Sequence, residues 1–306
     1  MQLNIKPNQS ISLISNLYNL SEDKSYYKKH KIRFPAELIN EKLKKVSWSL
    51  DEVLKLKDTQ EFDEGQNEKI IFDYIKYLDD LNDSLLQVIK ALTPYADEQE
   101  TITDVTKWLN KYNKESFTKF KDATQKDNEF IRVSSNNIKH GNARITSFSL
   151  VNHNNKKVYG FYFSDILDED GQYGPKLQIH KPYKNTVTGF SFNHFLLRTA
   201  GVVALNFYWL NKILFDKEKS KPHNDATVYS FISKFTNIEK EFFPDEYSTK
   251  YAKIIKNKSY LTLKYEKYMR NEEFDNIKST SWTLKFNSHD GKSNEKLPYM
   301  SLVRQK

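Results

Sequence analysis

Four polar side chains between residues 127 and 145 have the spacing of one helix face. At about 100° per residue, Glu129, Arg132, Asn136 and His140 form a single stripe. The last three are spaced i, i+4, i+8 and stack along about two helical turns. The opposite side is mainly apolar and consists of Phe130, Ile131, Ser134 and Ile138. The pattern predicts an amphipathic helix over residues 127–140 that ends, before Gly141 and Asn142, in a histidine.

The chemistry available to this stripe is proton transfer beside a cation. An imidazole at a helix C-terminus can carry a proton because the macrodipole favours its charged form. The guanidinium of Arg132 and the carboxamide of Asn136 lie beside this imidazole, so the three groups together form a candidate polar site. The same pattern also fits the solvated face of an ordinary helix that His140 caps. The residues alone leave both interpretations open.

Residues 136–140, with the letters NNIKH, resemble the N-x-x-K-H signature of many bacterial HEPN-superfamily proteins. That superfamily consists of small helical bundles, and the resemblance spans about residues 66–215. Its active members are metal-independent endoribonucleases, in which His and Arg promote attack of the RNA 2′-hydroxyl on the adjacent phosphate. The resemblance therefore implies a helical bundle that needs no cofactor and acts on or senses RNA, in a bacterial toxin or phage-defence setting.

Position by position, the resemblance aligns His140 with the family's histidine and Asn136 with its polar residue. Ser135 stands where the family's catalytic arginine is most often found, so the cation would have to come from Arg132 or Arg144. The implied catalytic set is His140, Asn136 and Arg132. Three further basic side chains are expected to contact nucleic acid, namely Lys139, Arg144 and Arg198. Because of Ser135, a non-catalytic binding member of the family is an equal alternative.

The composition limits the possible function classes. The chain has 306 residues, no cysteine and a formal net charge of +8. Without cysteine there can be no disulfide, no thiolate zinc site and no cysteine nucleophile. The basic residues are interspersed with acids along the whole chain, which predicts only a weak electrostatic footprint for nucleic acid. The seven histidines lack metal-site spacing, so no metal or cofactor is expected.

The sequence also predicts where the protein resides. Residues 1–6 lack a charged region followed by an apolar run, so no signal peptide is visible. The most apolar stretch, residues 190–215, contains His194, Arg198 and Lys212 and is too polar for a lipid-spanning helix. We therefore expect a cytoplasmic protein with no membrane partner.

The predicted fold class is α+β, a HEPN-like helical bundle with an inserted antiparallel β-hairpin and a small C-terminal β-containing part. Apolar periodicity predicts helices over residues 67–92, 101–122, 127–140 and 192–215, the last buried nearly all round. Further helices are expected from residue 35, from a capping box at residues 49–52, and over residues 226–241. This arrangement would leave the stripe facing outward or into a dimer seam.

Strand signals begin directly after the stripe. Residues 144–151 and 157–163 flank a turn-rich tetrapeptide and predict a hairpin, and residues 176–180 predict a third strand. Residues 259–265 and 280–287 are further strand candidates. The chain is therefore divided into an N-terminal helical or irregular region (1–65), a HEPN-like bundle (66–240) with a β insert at about 144–181, and a C-terminal β-containing region (241–306).

Three function classes follow from these predictions. The first is a HEPN-like protein that acts on or senses RNA, works as a homodimer and, as an enzyme, would be a metal-independent endoribonuclease. The second is a non-catalytic HEPN-like module that binds a protein partner of the same system. The third is a subunit of a DNA-directed nuclease, which residues 243–250 superficially resemble. Their acids are adjacent and the lysine is one position too far, so a turn is the better interpretation.

Overall fold

The computed structural model describes residues 1–21, 25–59, 64–95, 102–140, 144–151, 155–166, 173–216, 221–267, 283–286 and 297–300. Within them the fold is α+β with antiparallel sheets, as the sequence predicts. The helices are α1 (Ser12–Tyr18), α2 (Pro35–Thr59), α3 (Glu64–Ala91), α4 (Val105–Tyr112), α5 (Lys114–Lys139), α6 (Phe192–Phe215) and α7 (Thr227–Ser233). The strands are β1 (Gln2–Ile5), β2 (Arg144–Val151), β3 (Lys157–Ile166), β4 (Tyr173–Pro175), β5 (Phe190–Ser191), β6 (Lys250–Lys256), β7 (Leu261–Lys267) and β8 (Thr283–Phe286).

Helix α6 is the buried centre of the fold and has the bounds that the sequence predicts. Ser191 caps it by accepting a hydrogen bond from the backbone N–H of His194 (3.2 Å). Its apolar surface is nearly continuous, so α1, α3, α5 and β6 all pack on it. The buried Asn206 donates to the carboxamides of Asn82 on α3 (2.8 Å) and Asn128 on α5 (3.0 Å). This network fixes three helices relative to one another.

One antiparallel sheet has the strand order β1-β7-β6. β1 pairs with β7 from Gln2 opposite Lys264 to Ile5 opposite Leu261. The inner face of this sheet packs on α6, where the ring of Tyr265 lies against the backbone of a helical glycine. The N-terminal strand therefore completes a sheet whose other strands come from the C-terminal region, a pairing that the sequence did not predict.

The second sheet has the order β4-β3-β2-β8, and β5 also pairs with β3. Its centre is the hairpin of β2 and β3, in register from Arg144 opposite Ser164 to Val151 opposite Lys157, which confirms the predicted hairpin. β8 extends the sheet from β2, so the inserted hairpin and the C-terminal part share one sheet. Tyr299 packs on this sheet in a small apolar cluster with residues that include Phe148 and Phe243.

Three predicted helix boundaries are wrong. The helix predicted over residues 101–122 is divided at Asn113, which is both the C-cap of α4 and the N-cap of α5. Residues 35–59 form the single helix α2 instead of two, because the Ser49 hydroxyl donates back to the Val46 carbonyl (3.0 Å) and does not cap a new helix. Residues 114–139 likewise form the single helix α5, with no break near residue 125. Thr124 bonds back to the Phe120 carbonyl (2.8 Å), and no glycine or proline interrupts the helix.

Two predictions after the hairpin are also wrong. Residues 176–180 form a turn, in which the His180 N–H bonds to the Lys176 carbonyl (2.9 Å), and the third strand is β4 just before it. Helix α7 stops at Ser233, well before residue 241. At the end of α5, His140 is the C-cap, whereas Gly141 and Asn142 lie outside the described residues.

One large buried apolar cluster draws on all three predicted regions, from Ile5 through the bundle to Tyr265. The core therefore does not divide at residue 65 or 240. In the described part of the chain, no helix is both long and apolar enough to cross a membrane.

Candidate functional site

The second half of α5 presents the predicted polar stripe to solvent. Phe130 and Ile131 are buried against the neighbouring helices and orient the helix about its axis. As a result Arg132, Asn136 and His140 are all exposed on the opposite side. The stripe exists as a continuous exposed face, and its three side chains lie on the same side of one helix.

His140 is held at the end of this face by its backbone. Its N–H donates to the Asn136 carbonyl (3.1 Å), and the residue closes the last turn of α5 as the C-cap. Arg144 is exposed at the first position of β2, beyond residues 141–143, which are not among the described residues. Arg132, Asn136 and His140 are therefore brought together by the helix, and Arg144 begins the next element.

Ser135 and Lys139, which flank the stripe, turn towards α3. Ser135 is buried, and its hydroxyl donates to a carboxylate oxygen of Asp79 (2.7 Å). The Lys139 ammonium donates to the same oxygen of Asp79 (2.7 Å), which raises the pKa of Lys139. Lys139 is thus engaged in an ion pair within the fold, and its expected contact with nucleic acid would require breaking that pair.

Asp79 belongs to an acidic cluster on α3 that also contains Asp80 and Asp83. The pKa of Asp83 is raised, chiefly by burial and then by Asp79, and nearby Lys139 and Arg132 partly offset the shift. The stripe therefore lies beside fixed negative charge. Sequence reasoning missed this cluster, although its positions on the predicted α3 helix, directly around the core residue Leu81, were a usable signal.

Arg198, which the resemblance assigns to nucleic-acid contact, does not face the stripe. Its guanidinium carbon lies 3.8 Å from the ring centre of Phe130, on the buried side of α5. Burial lowers the pKa of Arg198, and nearby Tyr265 and Asp127 counteract the shift. Arg198 on α6 thus packs on Phe130 of α5 and forms a hydrogen bond with Tyr265 of β7.

Near Arg198 a hydroxyl, an imidazole and a carboxylate form a chain of side-chain contacts. Thr249 Oγ1 is 2.7 Å from His194 Nε2, and His194 Nδ1 is 3.4 Å from Glu246 Oε1. Catalytic triads use the same order of groups. Here, however, both His194 and Glu246 are almost fully buried, and Glu246 already accepts hydrogen bonds from Ser191 and from the Phe243 N–H. The cluster therefore fastens the turn before β6 to the start of α6.

Residues 243–248 form the predicted turn and not a nuclease core. A short 3₁₀ helix, Glu246–Ser248, follows Asp245 directly. Lys250 turns to Asp127 on α5, with 3.0 Å between the ammonium and the carboxylate. Among the residues that the structure describes, no three histidine, aspartate or glutamate side chains are grouped to hold a metal ion.

The comparisons with known proteins give no match. No family model, no curated protein and no solved structure matches this chain.

Proposed function

We propose that the chain is a non-catalytic, HEPN-like interaction module that associates with a second copy of itself through the polar stripe of α5. One observation carries this proposal. Ser135, which stands at the position of the family's catalytic arginine, is buried and donates to the carboxylate of Asp79, to which the exposed Lys139 also binds. A side chain at position 135 that is anchored in the core is a structural group, and it cannot serve a substrate on the exposed face.

The local charge also favours a binding role over catalysis. RNA cleavage of the HEPN type needs a cation at the phosphoryl oxygens. Arg132 is exposed, but it lies close enough to Asp83 to offset part of the rise in the pKa of that buried carboxyl. A phosphodiester approaching Arg132 would therefore meet negative charge from α3, whereas a protein surface can offer cations to the same acids.

The order of charges along the stripe suits a two-fold symmetric pair of α5 helices. Glu129 begins the stripe and His140 ends it, about 16 Å further along the helix axis. When two copies cross antiparallel about an axis at residues 134–135, Glu129 lies opposite His140 of the partner subunit. Arg132 then lies opposite Asn136 of the partner subunit. Both contacts occur twice, as an isologous interface requires.

A charge exchange tests this pairing. His140→Glu alone sets two carboxylates opposite each other, and Glu129→Lys alone removes the carboxylate opposite the imidazole. Both are expected to weaken the dimer, His140→Glu by about tenfold or more. The double variant restores an opposite-charge pair and should recover most of the affinity. Sedimentation equilibrium over a range of concentrations measures the three dissociation constants.

Lys114→Glu, a charge reversal at an exposed position at the start of α5, is the matched control and should leave association unchanged. A wild-type chain that stays monomeric at every concentration would refute the proposal. Strictly additive effects of Glu129→Lys and His140→Glu would refute the antiparallel register.

A second candidate function rests on a different observation. Arg132, Asn136 and His140 are exposed together on one face, which is the set that the family resemblance assigns to RNA. Total RNA incubated with the purified chain in EDTA tests metal-independent cleavage directly. Cleavage that His140→Ala abolishes would establish the endoribonuclease in place of the non-catalytic module. Intact RNA with both proteins would exclude cleavage of the RNAs present.

A further inference from the structure

Most of the net charge of the chain lies on the sheet of β1, β7 and β6. Residues 1–6 and 250–267, which contain this sheet, include seven lysines and one glutamate. The other 282 residues hold 41 basic and 39 acidic side chains, so they contribute little net charge. The basic residues are therefore less evenly distributed than expected, because six of these seven lysines lie within the single β6–β7 hairpin segment.

Two pairs of lysines lie directly opposite each other on β6 and β7. Lys253 is opposite Lys264, and Lys250 is opposite Lys267. Opposed side chains on neighbouring strands have Cβ atoms about 4.5–5.5 Å apart, and like charges at this separation destabilise a sheet. Lys250 is compensated by Asp127, but Lys253 and Lys264 remain partly exposed on the outer side. An anion placed between the two ammonium groups would relieve this repulsion.

The outer face of the sheet is a polar platform with few apolar side chains. Alternation turns Tyr265 onto α6 and leaves Lys253 and Lys264 on the opposite face, together with the single acid Glu266. Gln2 of β1 is exposed beside Lys264 and extends the same row across the sheet. The ends of the sheet carry further exposed lysines, namely Lys6, Lys256, Lys258 and Lys267.

We infer that this outer face binds the phosphate backbone of nucleic acid. Lysines and amides that contact phosphates fix a strand in place without reading its sequence. A strand of seven residues is about 20 Å long, and a single nucleic-acid strand at duplex spacing carries about six phosphates over that length. An anionic membrane is the poorer fit, because membrane-bound surfaces insert several apolar side chains and this face exposes the single aliphatic Ile255.

This surface is separate from the polar stripe and independent of the proposed self-association. The sheet meets α5 at Asp127 through Lys250 and Tyr265 of its inner face, whereas Lys253 and Lys264 lie on its outer face. Nucleic acid on the sheet and a second copy on the stripe would therefore contact different parts of the molecule. Loss of one activity is not expected to remove the other.

Fluorescence anisotropy with a labelled single-stranded RNA of about 20 nucleotides tests the inference on the full chain. The wild type should bind with an affinity that falls steeply between about 50 mM and about 200 mM salt. Lys253→Glu/Lys264→Glu keeps a like-charge pair on the sheet, so its folding stability should match the wild type. Its affinity at about 50 mM salt should fall at least about tenfold, and the salt slope should shrink by about 1.4.

Lys114→Glu/Lys121→Glu is the matched control, because both lysines are exposed on α5 and the net charge changes by the same amount. It should keep most of the wild-type affinity. Equal losses in the two double variants would overturn the inference, since net charge alone would then explain binding. Absence of RNA binding by the wild type at low salt would also overturn it. So would binding to phosphatidylserine vesicles, lost in Lys253→Glu/Lys264→Glu, with RNA binding unchanged.

Discussion

The ring of Tyr265 on β7 fills the space that a side chain at Gly201 on α6 would need. A Cβ built on Gly201 would lie 2.0 Å from Cδ2 and 2.4 Å from Cε2 of the tyrosine. The basic sheet can therefore approach the central helix closely only because this position has no side chain. Tyr265 in turn donates a hydrogen bond to Asp127 (3.0 Å), which ties the sheet to α5 as well.

Gly201→Ala is expected to destabilise the fold by about 1–3 kcal/mol, because overpacking outweighs the gain in helix propensity of about 1 kcal/mol. Urea unfolding measures the change. Tyr265→Leu should relieve the clash, so the double variant should be more stable than the sum of the two single effects predicts. Additive effects would show that the ring and the glycine are not in contact.

Ser135→Ala should lower the free energy of unfolding by about 1.5–3 kcal/mol, because it removes a buried hydrogen bond to the carboxylate of Asp79. Asn136→Ala, at the adjacent exposed position, should change the stability by less than about 0.5 kcal/mol. Chemical denaturation of the two variants compares a core-facing and a solvent-facing residue on the same turn. Equal effects would contradict the inward orientation of Ser135.

The Asp245 carboxyl accepts a hydrogen bond from the Tyr299 hydroxyl (2.5 Å), and burial, followed by the charge of Glu246, raises the pKa of Asp245 to about 7. A pKa raised above the ordinary 3.8 means that the folded chain retains this proton more strongly than the unfolded chain. The contribution to stability is therefore complete below about pH 4 and is lost as the pH rises to about 7.

Asp245→Asn keeps an acceptor for Tyr299 and removes the titration. We expect the stability of the variant, relative to the wild type, to increase from pH 4 to pH 8, because only the wild type loses the contribution of the protonated Asp245. Free energies of unfolding measured over this range test this. A constant difference between the two proteins over this range would contradict the raised pKa.

His180 should give the opposite dependence on pH. Its Nε2 accepts a hydrogen bond from the Phe163 N–H (2.9 Å), and burial lowers the pKa of the imidazole to about 3. Below pH 6.5 the imidazole of His180 binds a proton in the unfolded chain but stays neutral in the folded chain. The free energy of unfolding therefore decreases as the pH falls from 6.5 towards 3. His180→Gln, whose amide oxygen can accept the same hydrogen bond, should weaken this acid sensitivity in urea unfolding. An equal loss of stability at acid pH in His180→Gln and in the wild type would contradict the lowered pKa of His180.

Local patterns predicted the elements that local residues determine. Helix α6 was predicted with its correct bounds, because Ser191 caps it and apolar residues fill almost every later position. The hairpin of β2 and β3 was predicted because alternating strands flank a turn-rich tetrapeptide. The breaks predicted in α2 and α5 were wrong, because serine and threonine hydroxyls bond back within the helix and capping signals alone do not reveal this.

Tertiary pairing determined what the sequence could not predict. The exposure of Arg132, Asn136 and His140 follows from helical periodicity and was expected. The inward turn of Ser135 depends on Asp79, which lies 56 residues earlier on another helix. In the same way, the lysines of β6 and β7 are evident in the sequence, but the exposed platform they form with β1 requires a pairing across more than 250 residues.

The pairing of Gln2–Ile5 with Leu261–Lys267 also determines the order in which the chain can be completed. During synthesis β1 emerges early and remains unpaired until β7 has left the ribosome. Until then the side of α6 around Gly201 has no sheet to cover it. Closure of so long a loop is slow, so folding is expected to be limited by this late docking of the N-terminal strand.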